Sequence, residues 1–152
     1  MQKRPSDGSH LTGEQVEIIE QYVRDVLLAL DLNYWRVFVD TDLPPEDCRA
    51  SIWPVDGRRI AALSISDTWW DGSSTEEKRT DLVHECLHLA HHDQEEVIRR
   101  FGNEGGDVGQ YPWSLVWSQF KTETERMVDS LSYVIAPFMP PWPEPKTTKG
   151  AR

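Results

Sequence analysis

The sequence predicts an α+β domain in which a small antiparallel or mixed sheet of about three strands packs against an N-terminal, a central and a C-terminal helix. Three observations predict it. Apolar residues recur at spacings of three and four in three segments, beginning near Gly13, Thr75 and Pro112. Between the first two lie short runs of β-branched and aromatic residues set off by Pro, Gly and Asp. The length, 152 residues, suits one domain that can bury a core.

Residues 1–11 are polar, contain Pro5 and Gly8 and show no periodicity, which predicts a disordered N-terminus ahead of a single domain over 12–139. Thr12 with Gln15 three residues later has the form of a capping box. Val16, Ile19, Tyr22, Val23, Val26, Leu27 and Leu30 then trace one apolar face, so the first helix runs over about Gly13 to Leu30 as scaffold. Tyr34 to Asp40 reads as a strand, and Thr41 to Asp47, with two prolines and three acids, as a loop. Ala50 to Val55 and Arg59 to Ser66 flank Asp56-Gly57, a tight-turn signal that joins antiparallel strands. Pro54 assigns the first of these strands to an edge or an irregular end. The second, just before the central helix, is placed to form a cleft wall, and its edge near Ala62 to Ser66 to hold an extended peptide.

Ser74 with Glu77 is a second capping box, and Glu76 and Glu77 in the first turn suit the helix dipole. Leu82, Val83, Cys86, Leu87, Leu89 and Ala90 make the apolar side of this helix. Asp81, His84, Glu85, His88 and His92 share the other. Phe101 to Pro112, with four glycines and a proline, predicts a long loop bordering the cleft. A last helix follows Pro112 with Val116, Phe120, Met127, Leu131, Val134 and Phe138 on its apolar seam. The prolines from Pro137 onward end it and leave 140–152 as a flexible tail.

The chemistry concentrates at His84-Glu85-Cys86-Leu87-His88, an HExxH motif. On a helix the two histidines sit about 40° apart and one turn apart, so both rings reach one metal ion. Glu85 lies at the edge of that face, where a carboxylate can take a proton from water without being a ligand. HExxH alone also arises by chance on solvated helices. Here a capped helix and apolar flanks supply its context.

A hydrolytic zinc has three protein ligands and an open position. Glu125 is the candidate third, because Asp129 lies one turn on and can fix the far nitrogen of a ligand imidazole. Glu123, His91, His92 and Asp129 are the other candidates. The metzincin pattern fails, since its glycine and third histidine would fall on His91 and Gln94.

HECLH with the downstream ETERMVD resembles the gluzincin branch of zinc metallopeptidases. Their HExxH helix is completed by a glutamate on a later helix, with an aspartate four residues beyond. From Trp35 to Pro140 the order of elements also resembles small metallopeptidases encoded by phages and prophages. The resemblance implies a zincin-like fold and peptide-bond hydrolysis, with His84, His88 and Glu125 as Zn2+ ligands and Glu85 as general base. No Tyr or His matches the family's oxyanion stabiliser. Tyr111 and Tyr133 are the candidates.

The net charge of −10 with scattered Lys and Arg argues against nucleic acid as partner and leaves a protein or peptide substrate. No run of about 18 apolar residues and no signal-peptide pattern occurs, which predicts no membrane partner and a soluble, cytoplasmic chain. Two isolated cysteines, Cys48 and Cys86, fit a reducing compartment, and Cys86 reads as a packing residue rather than a redox switch. Oligomeric state and substrate are left open by the sequence. So are two other functions: a zinc-stabilised interaction module that cuts nothing, and a metal-free binder using Trp69-Trp70 and Trp113 to Trp117 as its surface.

Overall fold

The computed structural model describes residues 10–55, 57–104 and 110–143. It is α+β, with a three-stranded mixed sheet and four helices. Helix α1, Gly13–Ala29, starts at the expected capping box, in which the Thr12 hydroxyl accepts from the Gln15 amide at 3.2 Å and the Gln15 side chain accepts from the Thr12 amide at 2.8 Å. Ile19, Tyr22, Val23, Val26 and Leu27 are buried on one face. Asp31, with φ of 59°, takes the left-handed conformation that stops the helix.

The strands are β1, Arg36–Val39; β2, Ala50–Pro54; and β3, Ile60–Ile65. Their order is β1-β3-β2, with β1 parallel and β2 antiparallel to β3. This corrects one expectation: β3, read as a cleft wall with a free edge, is the central strand. The edge beside the candidate site belongs to β2, where Pro54 stands without costing a ladder bond. Asp56 of the expected turn lies outside the described residues. Gly57 takes φ of 69°, and the Val55 amide bonds to Ile60 O at 2.8 Å.

Val37, Val39, Ala61, Leu63 and Ile65 bury the inner sheet face against α1 and against Leu82, Val83, Cys86 and Leu89 of α3, Thr75–Glu104. Ala90, expected on that apolar side, is exposed. A short helix absent from the sequence reading, α2 at Trp69–Gly72, sets Trp69 in the core. Trp142, assigned to the tail, is buried too, packed edge-on to Trp69 and Trp70 with centroids 5.7 and 5.9 Å away. The Tyr22 hydroxyl donates to Pro140 O at 2.8 Å, and Arg79 donates to Pro137 O and Met139 O. Packing therefore continues past Met139; residues 1–9 and 144–152 of the expected flexible ends lie outside the described residues, and Leu11 of the N-terminal segment is buried.

Helix α4 is Gln110–Ile135, followed by a 3-10 turn at Ala136–Phe138. Phe101–Glu104 and Gln110–Pro112 are thus helical, not loop. Pro112 sits in the first turn, where no amide is needed. Gly102 is a close-approach residue rather than a breaker, since a Cβ there would lie 1.9 Å from the Trp113 ring. The predicted apolar seam is also corrected: Val116, Met127, Val134 and Phe138 are exposed, whereas Thr124, Val128, Ser132 and Ala136 are buried. Small residues face α3 and let α4 come close, and the Ser132 hydroxyl is satisfied at 2.8 Å by Asp129 O. Among the described residues no helix is long and apolar enough to cross a membrane.

Candidate metal centre

The site is assembled from α3, α4 and β2. Helix α3 begins at its capping box, where the Ser74 amide donates to Glu77 at 2.7 Å and the Ser74 hydroxyl accepts from the Glu77 amide at 3.2 Å. These bonds, with help from Arg49, hold the Glu77 carboxyl down at about 2. The helix then carries His84, Glu85 and His88 about two and a half to three and a half turns in, with core residues 82, 83, 86 and 89 locking its rotation.

His84 Nε2 and His88 Nε2 lie 3.0 Å apart. Across from them, Glu125 places one oxygen 3.7 Å from His84 Nε2 and the other 3.5 Å from His88 Nε2. Donors arranged tetrahedrally around a zinc at about 2.0–2.1 Å are separated by about 3.3 Å. The three observed separations bracket that value, and among the described residues these three are the group whose ligand atoms all fall within 4.8 Å of one another. The donor set therefore fits a metal ion.

Asp129, one turn after Glu125, approaches His84 Nδ1 at 3.1 Å. An Nδ1–H donated to that carboxylate leaves the lone pair on Nε2, the nitrogen aimed at the cluster. Burial, with His84, His91 and Lys121 nearby, pushes the His88 pKa down to about 4, so its ring is neutral at physiological pH. A neutral imidazole is the form that ligates.

Glu85 departs from the open polar face expected of it. It is 7% exposed and accepts a hydrogen bond from the Ile52 backbone of β2. Burial first, then the Glu125 charge, push its pKa up to about 8. The Ile52 bond follows from strand parity. The Val55 amide donates to Ile60 O and the Arg49 carbonyl accepts from the Ser66 amide just past β3, which in an antiparallel pair turns the amides of Ala50 and Ile52 to the free edge. Arg49 Nε lies 3.2 Å from Asp81, and Arg59 binds Asp93 through two bonds of 2.8 Å. Together with Ile52 at Glu85, these contacts lay β2 and its turn along α3 in the same direction.

A cleft of about 420 Å³ opens beside the cluster, lined by Cys48, Arg49, Asp81, His84, Glu85, Asp129 and Tyr133 among others. Tyr133 is thus at the site. The side chain of Tyr111 lies outside the described residues. The other third-ligand candidates turn elsewhere: Glu123 pairs with Arg126 at 2.8 Å, His91 Nδ1 contacts Gln94 at 3.3 Å, and His92 stands edge-on to Trp35 at 5.3 Å. Sequence reading missed Ile52, Arg49 and the Trp69–Asp81 bond of 2.8 Å. Only Asp81, on the polar stripe of the helix, carried a signal. Comparisons with protein-family models, with curated proteins and with solved structures return no match.

Proposed function

We propose that the chain is a zincin-like, gluzincin-type zinc metallopeptidase acting on protein or peptide substrates in the cytoplasm. The observation that carries the reading is the convergence of His84, His88 and Glu125, with Asp129 on the far nitrogen of His84 and Glu85 buried alongside. Zinc, when bound there, supplies Lewis acidity that polarises a carbonyl and lets water attack near neutral pH.

The residues of the chain do the rest. The Ala50 amide on the free edge of β2 pairs with an extended substrate and sets its carbonyl near the ligands. Glu85 takes the proton of the attacking water and passes it to the leaving amine. Its pKa is raised by burial first and then by the Glu125 charge, and a cation held by Glu125 would remove the second of these and favour the base form. Tyr133, which lines the cleft, is the donor to the developing oxyanion in this reading. Free Cys48 and Cys86 support the reducing compartment.

Elemental analysis of chelator-free protein, paired with cleavage of a quenched casein substrate, tests the proposal. It expects about one zinc per chain and hydrolysis that Glu85→Gln abolishes while zinc is retained. Zinc without cleavage in the wild type would leave the interaction module as the better reading, and stably folded protein without zinc would remove both.

A further inference from the structure

The turn between β2 and β3 and the second half of α3 enclose a separate cleft of about 400 Å³, lined among others by Arg58, Arg59, His92, Asp93, Glu96 and Arg100. Its acids are already engaged. Asp93 is held by Arg59 through two bonds of 2.8 Å, and Glu96 by Arg99 at 2.9 and 2.8 Å. Arg100 reaches Glu96 only at 3.9 Å, and Arg58 has no ion pair among the described residues. Among the described residues the cleft therefore presents two guanidinium groups beyond those that hold its acids, in a chain whose net charge is −10. Generic electrostatics would draw a basic ligand to such a protein. A concave basic site selects a carboxylate instead, which a guanidinium fork meets with two hydrogen bonds.

Its position relates it to the metal centre. Residues 92, 96 and 100 continue the line of α3 beyond His88, about 6, 12 and 18 Å along the axis at about 1.5 Å per residue. Arg58 lies just past the end of the β2 edge. An extended peptide held on that edge advances about 3.3 Å per residue, so a side chain four to five residues from a carbonyl at the ligands reaches the cleft. We propose that Arg58 and Arg100 form a subsite for acidic side chains of the substrate, about four to five residues from the bond that is cut. The assignment rests on the peptidase reading and specifies its substrate class.

Binding is measured by fluorescence anisotropy on Glu85→Gln protein, so that no hydrolysis is required. The probes are labelled short peptides that differ only in carrying a Glu-Glu, Gln-Gln or Lys-Lys pair at one end. The Glu pair should bind about 5- to 30-fold more tightly than the Gln pair at low salt. Arg58→Ala with Arg100→Ala should erase that difference, and Arg58→Glu with Arg100→Glu should transfer the preference to the Lys pair. Both side chains are at the surface, so these variants keep the fold, and circular dichroism checks it. Equal binding of the Glu and Gln peptides overturns the subsite, as does a Glu preference that survives the double alanine variant. Charge-dependent binding by a protein that never cleaves supports the subsite while removing the peptidase reading. Cleavage without charge dependence does the reverse.

Discussion

Replacing Glu85 with Gln should stabilise the metal-free protein, by an amount that grows with pH. The Glu85 carboxyl, ordinarily near 4.5, is pushed up to about 8 by burial and by Glu125. A raised native pKa means the unfolded chain releases this proton first. The contribution is intact below pH 4.5, is lost as pH rises from 4.5 to 8, and is constant above. At about 1.36 kcal/mol per pH unit the full cost approaches about 5 kcal/mol, with about 3 kcal/mol reached at pH 7 and about 1 kcal/mol at pH 5. Glutamine keeps the shape and can accept the Ile52 amide, but carries no charge to desolvate. His88, held down at about 4, titrates in the opposite sense, losing stability as pH falls from 6.5 to 4. That term is common to both proteins and cancels in their difference. Urea unfolding in chelator at pH 5, 6, 7 and 8 should give a gap between variant and wild type widening from about 1 to about 4 kcal/mol. A gap that stays flat across that range would show that Glu85 is not the buried, charge-crowded group described here.

The remaining predictions probe the ligands and the packing. Glu125→Ala should all but abolish zinc binding, Asp129→Ala should weaken it about 10- to 100-fold, and Glu123→Ala, His91→Ala and His92→Ala should leave it near wild type in a competitive chelator titration. If a histidine variant loses zinc while Glu125→Ala retains it, the assignment of Glu125 is wrong. Trp142→Ala should cost about 3–5 kcal/mol in urea unfolding, as expected for a buried aromatic; an unchanged midpoint would detach the segment from the core. Gly102→Ala, normally a gain of about 0.5–1 kcal/mol inside a helix, should here cost about 1–3 kcal/mol by overpacking against Trp113. Adding Trp113→Ala should recover most of it, and a simple stabilisation by Gly102→Ala would contradict the close approach.

What the sequence made legible was local. Both capping boxes, the strand segments and the start of α3 depend on neighbours in the chain, and each appears where its residues place it. The spacing of His84 and His88 and the four-residue step from Glu125 to Asp129 likewise follow from helix geometry alone. What was not legible depends on approach between distant segments. Gly102 reads as a loop signal until Trp113 is seen lying on it. Thr124 and Ser132 lie off the apolar seam read from the sequence, yet both are buried along α4. Sheet order was hidden for the same reason, because adjacency in sequence made β3 look like the wall of the cleft when β1 covers its other edge. Glu85 shows the limit most clearly: its position on the helix was readable, and its burial under β2 was not.

The joints of the site are held in different ways, which bears on how accurately it is built. His84, Glu85 and His88 share one helix whose opposite face is fully buried, so their mutual geometry is fixed by the core. Glu125 and Asp129 depend on the docking of α4, where Val128 is buried and the flanking small residues set the distance. Strand β2 is held over Glu85 by its ladder to β3 and by Arg49, which reaches Glu77 at 3.2 Å and Asp81 at 3.2 Å. Those ion pairs are partly exposed and each contributes no more than about 1 kcal/mol. Their effect is on register rather than on stability. Asp81 is also bound by the buried Trp69 at 2.8 Å, so the Arg49 anchor is itself fixed to the core. Through Arg49, the free edge of β2 and the Glu85 carboxylate beneath it are positioned by the same stretch of α3, so in the proposed reaction substrate placement and proton transfer would depend on one set of contacts.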